Sequence, residues 1–361
     1  MKNFLFIILF MYGSASIYAQ FTAIPDANFE NYLEQNGMGD GVSGNGQVLT
    51  SNIDTVTELL VNALNISDLT GIEDFIALER LGCAFNSLTA LDLSNNHQLI
   101  EMGCTANSLT SLNITGSPNL EILYCDENFL TELDITQNPN LIEVYCDWNM
   151  LTTLDITQNP VLYLLWCDYN FINGYFDTSN NSLITSLTTS HNNISVLDLS
   201  QNVNLISFGT SFNPLQSLDV RNGNNENIAT FVASETTGNL TCILVDDSSA
   251  NYLNGWLKDP YTTFVNNQQE CNALGLSETT AQKFKMYPNP TSKEVFLSIP
   301  YQTYEGLVVM VSNNLGQVLE IKKQFENANV ISLNISGYVP GIYFVTLKTA
   351  NITTTQKLVV E

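Results

Sequence analysis

The segment Leu141-Ile142-Glu143-Val144-Tyr145-Cys146-Asp147-Trp148-Asn149-Met150-Leu151 is one unit of a repeat from which the architecture follows. Its inward apolar positions are 141, 144, 146 and 151, and its asparagine stands at 149. The same order begins at Leu78, Leu99, Leu120 and Leu162, so Cys83, Cys104, Cys125, Cys146 and Cys167 are spaced by 21 residues. Degenerate copies begin at Ile184 and Leu205, with Thr189 and Thr210 in the cysteine column. The asparagine column runs Asn86, Asn107, Asn128, Asn149, Asn170, Asn192 and Asn213. A fixed period near twenty residues marks a solenoid, because one unit cannot bury its apolar face alone and must stack on its neighbours.

Each column has a physical reason. A buried Leu or Ile contributes roughly 1.5–3 kcal/mol, which offsets the entropy of ordering the coil. The asparagine amide carries donors and an acceptor, so it can bridge consecutive coils where the chain leaves the strand. The cysteines occupy a leucine position, which predicts a ladder of buried thiols. A metal site needs convergent ligands, and these are strung along a stack. A second apolar pair flanks an acid in five of the units, as in Leu91-Asp92-Leu93 and Leu154-Asp155-Ile156, predicting a short extended segment on the convex side. Turns at Ser117-Pro118, Asn138-Pro139 and Asn159-Pro160 close the coils. The pattern resembles leucine-rich repeats. That resemblance implies a mainly β solenoid of ~21-residue coils with a parallel sheet on its concave face.

The ends of a solenoid need caps. Residues 20–55 are expected to form an N-terminal helical cap, with Asp26 as N-cap and Phe29, Tyr32 and Leu33 as its apolar stripe. The repeats are assigned to 56–235, beginning with an atypical coil over Val56–Phe75. Residues 236–271 are assigned to a C-terminal cap. Cys242 and Cys271 lie outside the thiol ladder and bracket Trp256, so they are expected to close that cap as a disulfide. The segments Ile24–Phe29 and Leu240–Asp247 resemble the entry and exit caps of exported repeat proteins of the Bacteroidetes type. A polar linker is expected over 272–283.

Beyond it, short β-rich runs at Val295–Ile299, Leu307–Val311, Val318–Ile321, Val330–Leu333, Ile342–Leu347 and Gln356–Val360 predict a small antiparallel sandwich over 284–361. It opens with Tyr287-Pro288-Asn289-Pro290-Thr291-Ser292. Asn314-Leu315-Gly316-Gln317 forms a hairpin, Pro340-Gly341-Ile342-Tyr343-Phe344-Val345 precedes the end, and Lys357-Leu358-Val359-Val360 closes it. In order and spacing these motifs resemble the type A sorting domain of the type IX secretion system. The resemblance implies passage across an outer membrane by that machinery, removal of residues 284–361, and release or attachment at the cell surface. Lys2, the apolar Phe4–Met11 and the small residues up to Ala19 read as a signal peptide over 1–19. No segment has eighteen uninterrupted apolar residues, so no transmembrane span is expected.

With 36 acidic against 11 basic residues the formal charge is -25, which argues against nucleic acid as a partner. The two histidines, His97 and His191, are isolated, and no phosphate loop, zinc motif or nucleophile elbow occurs. The expectation is therefore a non-enzymatic chain without cofactor or metal. Strand alternation directs Glu143, Tyr145 and Asp147 outward if Val144 and Cys146 face in. One outward column then holds Tyr124, Tyr145 and Trp166, and the next holds Asp126, Asp147 and Asp168. A third, just past the strand, holds Trp148 and Tyr169, preceded by Phe85, Ala106 and Glu127 and followed by His191 and Phe212. Aromatics grouped on a surface point to a binding patch for a protein or glycan, and the aspartates to a cationic or hydroxyl-rich partner. The same rings would also stabilise a sheet by packing on one another, as in a passive spacer.

Overall fold

The computed structural model describes residues 19–237, 240–274, 284–298, 307–313, 317–323, 330–348 and 353–361. Residues 1–18 of the expected signal peptide, the hairpin tip Asn314–Gly316 and most of the expected linker lie outside them. The chain divides into two compact units, Met1–Gly275 and Leu276–Glu361.

The first unit is a parallel solenoid of the leucine-rich-repeat kind. Ten strands form one sheet: 58–60, 80–82, 101–103, 122–124, 143–145, 164–166, 186–188, 207–209, 230–233 and 257–258. Pairing is parallel and in register, so that Tyr124, Tyr145, Trp166 and Thr188 are successive partners. The central residue of each three-residue strand is buried and its neighbours look outward, as in Glu143-Val144-Tyr145. A second parallel sheet joins 173–176, 193–198, 217–219, 242–244 and 263–265, and a two-stranded one joins 90–92 to 111–113. In the two intervening coils the described chain has no strand there, yet Leu133, Ile135, Leu154 and Ile156 are buried. Burial of the apolar pair, rather than a backbone ladder, is what the repeat enforces.

All five cysteines of the ladder are buried and free, and burial pushes their thiols up, Cys83 to about 12. Thr189 and Thr210 replace them with a buried hydroxyl pair at 3.0 Å. Asn149 shows how the asparagine column works. Its Nδ2 donates to the carbonyls of Cys125 (3.0 Å), Cys146 (3.2 Å) and Asp147 (3.2 Å), and its Oδ1 accepts from Leu130 N (3.0 Å). One side chain thus satisfies backbone groups on two coils that water cannot reach. A second amide ladder, read from sequence only as turns, lies at the opposite bend. Asn138 donates to Ile114 O and Ser117 O, and Asn159 to Ile135 O and Asn138 O.

The N-terminal cap contains the helix Ala27–Gln35, whose first turn is closed by Asp26 Oδ1 accepting from Asn28 N and Phe29 N. Phe29 and Leu33 are buried in the core. At the other end the assignment of 236–271 to a cap alone needs correction. Strands 257–258 and 263–265 continue both sheets, so another coil is present. Rings replace leucines in it, so it lacks the leucine period of the other coils: Phe231 stacks on Trp256 at 4.0 Å, and Phe264 packs edge-on against Trp256. Cys242 and Cys271 form a disulfide. Cys271 sits on the helix Gln268–Leu274, so residues 272–274, expected as linker, are helical.

The second unit has an antiparallel three-stranded sheet (285–287, 294–298, 330–334) and a four-stranded one (318–323, 308–313, 341–348, 353–360). Phe284, Val295, Leu297, Val309, Val345 and Leu358 lie in its core. Strand 285–287 precedes the β-rich runs that the sequence predicts, and pairs with 294–298. Asn289 ties the opening motif to the closing strand, donating to Lys357 O and accepting from Val359 N, both at 2.8 Å.

Candidate functional site

The outward face of the ten-stranded sheet brings the expected residues together. Tyr124 and Tyr145 stack with ring centroids 4.8 Å apart, and Trp166 meets Tyr145 edge-on at 5.2 Å. The two tyrosines are half-buried by this contact, whereas Trp166 is 41% exposed. Tyr145 Oη donates to Glu143 Oε2 at 3.0 Å, and Trp166 Nε1 donates to Ser186 Oγ at 3.2 Å. Burial first, then the Glu143 bond, pushes the Tyr145 phenol up to about 12.

The aspartates do not form the open acidic row expected of them. Asp147 Oδ1 accepts from Asp168 N at 2.6 Å, and Asp168 Oδ1 accepts from Ser190 N. Asp126 Oδ1 accepts from Thr105 Oγ1 at 2.8 Å. Asn62 serves the same backbone role one coil from the start, accepting from Ala84 N, and Ser211 accepts from Ser234 N further on. The column occupies the point where the parallel ladder stops and an N–H of the next coil needs an acceptor. Its chemistry is therefore partly spent on the fold. Partial burial raises the Asp147 carboxyl to about 7, with the Asp168 and Asp126 charges adding to the effect, and burial raises Asp168 as well.

The third column holds what strand alternation could not show. Ala63, Phe85, Ala106, Glu127, Trp148, Tyr169, His191, Phe212 and Glu235 all have φ between 53° and 56°, in the left-handed region. Such a conformation is costly for residues with a Cβ and is rare for bulky rings. It turns the side chain out of the strand plane and onto the rim. There Trp148, Tyr169, His191 and Phe212 form one continuous stack, with centroid separations of 3.8, 4.1 and 4.2 Å and interplanar angles of 11–12°. Trp148 is 56% exposed and Phe212 47%. Trp148 and Tyr169 belong to the expected site. His191 and Phe212 were not assigned to it, although their column position was the available signal. Beside the stack, Glu127, Asn128, Phe129 and Trp148 line an open depression of about 450 Å³.

Among the described residues no group of three or more His, Cys, Asp or Glu is placed to hold a metal ion, and no helix is long and apolar enough to cross a membrane. His97 lies away from the sheet face, with Nδ1 2.7 Å from Gly116 O.

The first unit is thus a leucine-rich-repeat solenoid, and the second a pair of antiparallel sheets. Residues 285–361 match the family model of the secretion system C-terminal sorting domain. That domain directs the chain through type IX secretion to the cell surface or the extracellular space. No curated protein sequence matches the chain significantly. Among solved structures, the functional domain of InlJ from Listeria monocytogenes, described as including a cysteine ladder, is 20% identical, with 96% of this chain and 100% of that one covered and a TM-score of 0.43. An internalin, InlF, from the same organism is 17% identical over 68% of this chain and 76% of its own, with a TM-score of 0.48. The effector YopM from Yersinia pestis is 24% identical over 61% and 60%, with a TM-score of 0.43.

Proposed function

We propose that this chain is a non-enzymatic binding protein that holds a protein or glycan partner on the outward, concave face of its ten-stranded sheet. The sorting domain would deliver it and then be removed, leaving the solenoid released or attached at the surface. One observation carries the reading: aromatic rings from consecutive coils converge on a single exposed region, Tyr124, Tyr145 and Trp166 on the sheet and Trp148 and Tyr169 on its rim. Tyr and Trp offer large contact area at little entropic cost and dominate binding hot spots. The Asp126, Asp147 and Asp168 column supports them as a scaffold, with Glu143 orienting Tyr145.

The test probes the full chain against arrays of extracellular proteins and glycans, then repeats it with Tyr124→Ala, Tyr145→Ala and Trp166→Ala combined. Binding should disappear while the thiol ladder and fold persist. A second reading, a passive surface spacer, is favoured by the hydrogen-bonded aspartates, which spend polar groups within the fold. It is supported instead if no array member binds and the triple variant melts well below the parent.

A further inference from the structure

We propose that the Trp148 end of the rim stack is a guanidinium-binding site, formed by the Trp148 ring, the Phe129 ring and the Glu127 carboxylate, that takes an arginine side chain of a protein partner. This rests on the binding-surface reading above and specifies its ligand chemistry.

Three observations converge. First, the stack is interrupted in a definite way. Tyr169 and His191 have both faces covered by neighbours about 4 Å away, whereas Trp148 and Phe212 end the stack; only the Trp148 end adjoins the depression described above. The next two coils place Glu127 and Ala106 in the column where a further ring would lie. Coils repeat at roughly 4.8 Å, so a glutamate in place of a ring leaves the outer face of Trp148 without a stacked ring. Second, that place is concave: the depression lined by Glu127, Asn128, Phe129 and Trp148 lies there. Third, its polar groups are unequal. The Asn128 amide is spent, donating to Cys104 O and Cys125 O and accepting from Leu109 N. Among the described residues the exposed Glu127 carboxylate has no hydrogen-bond or ion-pair partner.

A planar, weakly hydrated cation satisfies all three. Guanidinium stacks on an indole face, pairs with a carboxylate through two parallel N–H groups, and carries a methylene stem that Phe129, 50% exposed, can cover. A lysine ammonium is a compact, strongly hydrated point charge and does not extend a stack. A pyranose needs several donors and acceptors for its hydroxyls, and only one unspent polar side chain lines the depression. The chain's formal charge of -25 adds long-range attraction for a basic partner.

The full chain contains three tryptophans, Trp148, Trp166 and Trp256, so 5-fluorotryptophan labelling gives three ¹⁹F resonances, assigned by single Trp→Phe variants. N-acetyl-arginine amide is the probe. The Trp148 signal should shift saturably while that of buried Trp256 stays fixed. Affinity should fall roughly fivefold in Glu127→Gln, since the exposed charge pair is worth a small factor and the Trp148 contact is kept. The neutral isostere N-acetyl-citrulline amide should give no saturable shift. An unmoved Trp148 resonance, an unchanged affinity in Glu127→Gln, or an equal response to citrulline or to N-acetylglucosamine would overturn the proposal. The broader binding reading fails separately: it is tested by array ligands and the sheet-face triple variant. An array ligand lost in that variant but indifferent to Glu127→Gln retains the reading and removes the arginine site.

Discussion

Replacing Asp147 by asparagine should stabilise this protein, and should do so more strongly as pH rises. Asp147 lies partly buried between Asp126 and Asp168, and burial with those like charges holds its carboxyl near 7. In the unfolded chain it returns to the ordinary value of about 3.8. A folded pKa above the unfolded one means that the folded state binds the proton more tightly. Ionisation therefore costs nothing below pH ~4, opposes folding increasingly between pH ~4 and ~7, and reaches its full cost above that window. At 1.36 kcal/mol per unit the difference between about 7 and 3.8 sets a ceiling of ~4 kcal/mol. Water and backbone dipoles relax around a partly exposed carboxylate, so about 1–3 kcal/mol is expected. Asparagine keeps the structural bond, because its Oδ1 can still accept from Asp168 N. Urea unfolding of the full chain, followed by tryptophan fluorescence, reports on the solenoid, which holds all three tryptophans. The advantage of Asp147→Asn should be near zero at pH 4 and largest at pH 8. An advantage independent of pH, or a variant weaker than the parent at pH 8, would refute the reasoning.

Three further outcomes are expected. Asn149→Ala removes four hydrogen bonds from buried backbone groups on two coils and should cost about 3 kcal/mol or more in urea unfolding; a loss under ~1 kcal/mol would mean that water replaces the amide. The five ladder thiols should resist a disulfide-exchange reagent in the native chain and react together once it is denatured, with rapid native reaction counting against a sealed ladder. Replacing Cys242 and Cys271 together by serine opens a loop of 29 residues and should lower stability by roughly 3–4 kcal/mol, checked by the shift in urea midpoint of the solenoid transition; an unmoved midpoint would show that the terminal coil is held by its rings alone.

The residues differ in how much they disclose on their own. Leu141, Val144, Cys146 and Asn149 declare their roles because a stack repeats one environment, and each repetition multiplies the same requirement. Asp26 is legible as a cap because the four free N–H groups of a helix start are a local problem. The terminal coil was not legible: Phe231, Trp256 and Phe264 fill the core with rings instead of leucines, and the spacing lengthens. Asn138 and Asn159 read as turn residues beside proline, yet they form a second buried ladder, since only the neighbouring coil supplies the carbonyls they meet.

The amino-acid order alone determined the solenoid, its register and the hidden thiols, because each depends on periodicity; the disulfide followed from two cysteines outside the ladder, and the export domain from the order and spacing of its own motifs. What the tertiary structure decided is which outward groups remain available. A carboxylate at 147 or 168 looks free until the N–H of the following coil is seen to occupy it. The rings at 148, 169, 191 and 212 look like scattered substitutions until a left-handed turn in every coil lines them up on one rim. Availability is a property of the neighbour in space, roughly 21 residues away in the chain, and only folding brings that neighbour within a hydrogen bond.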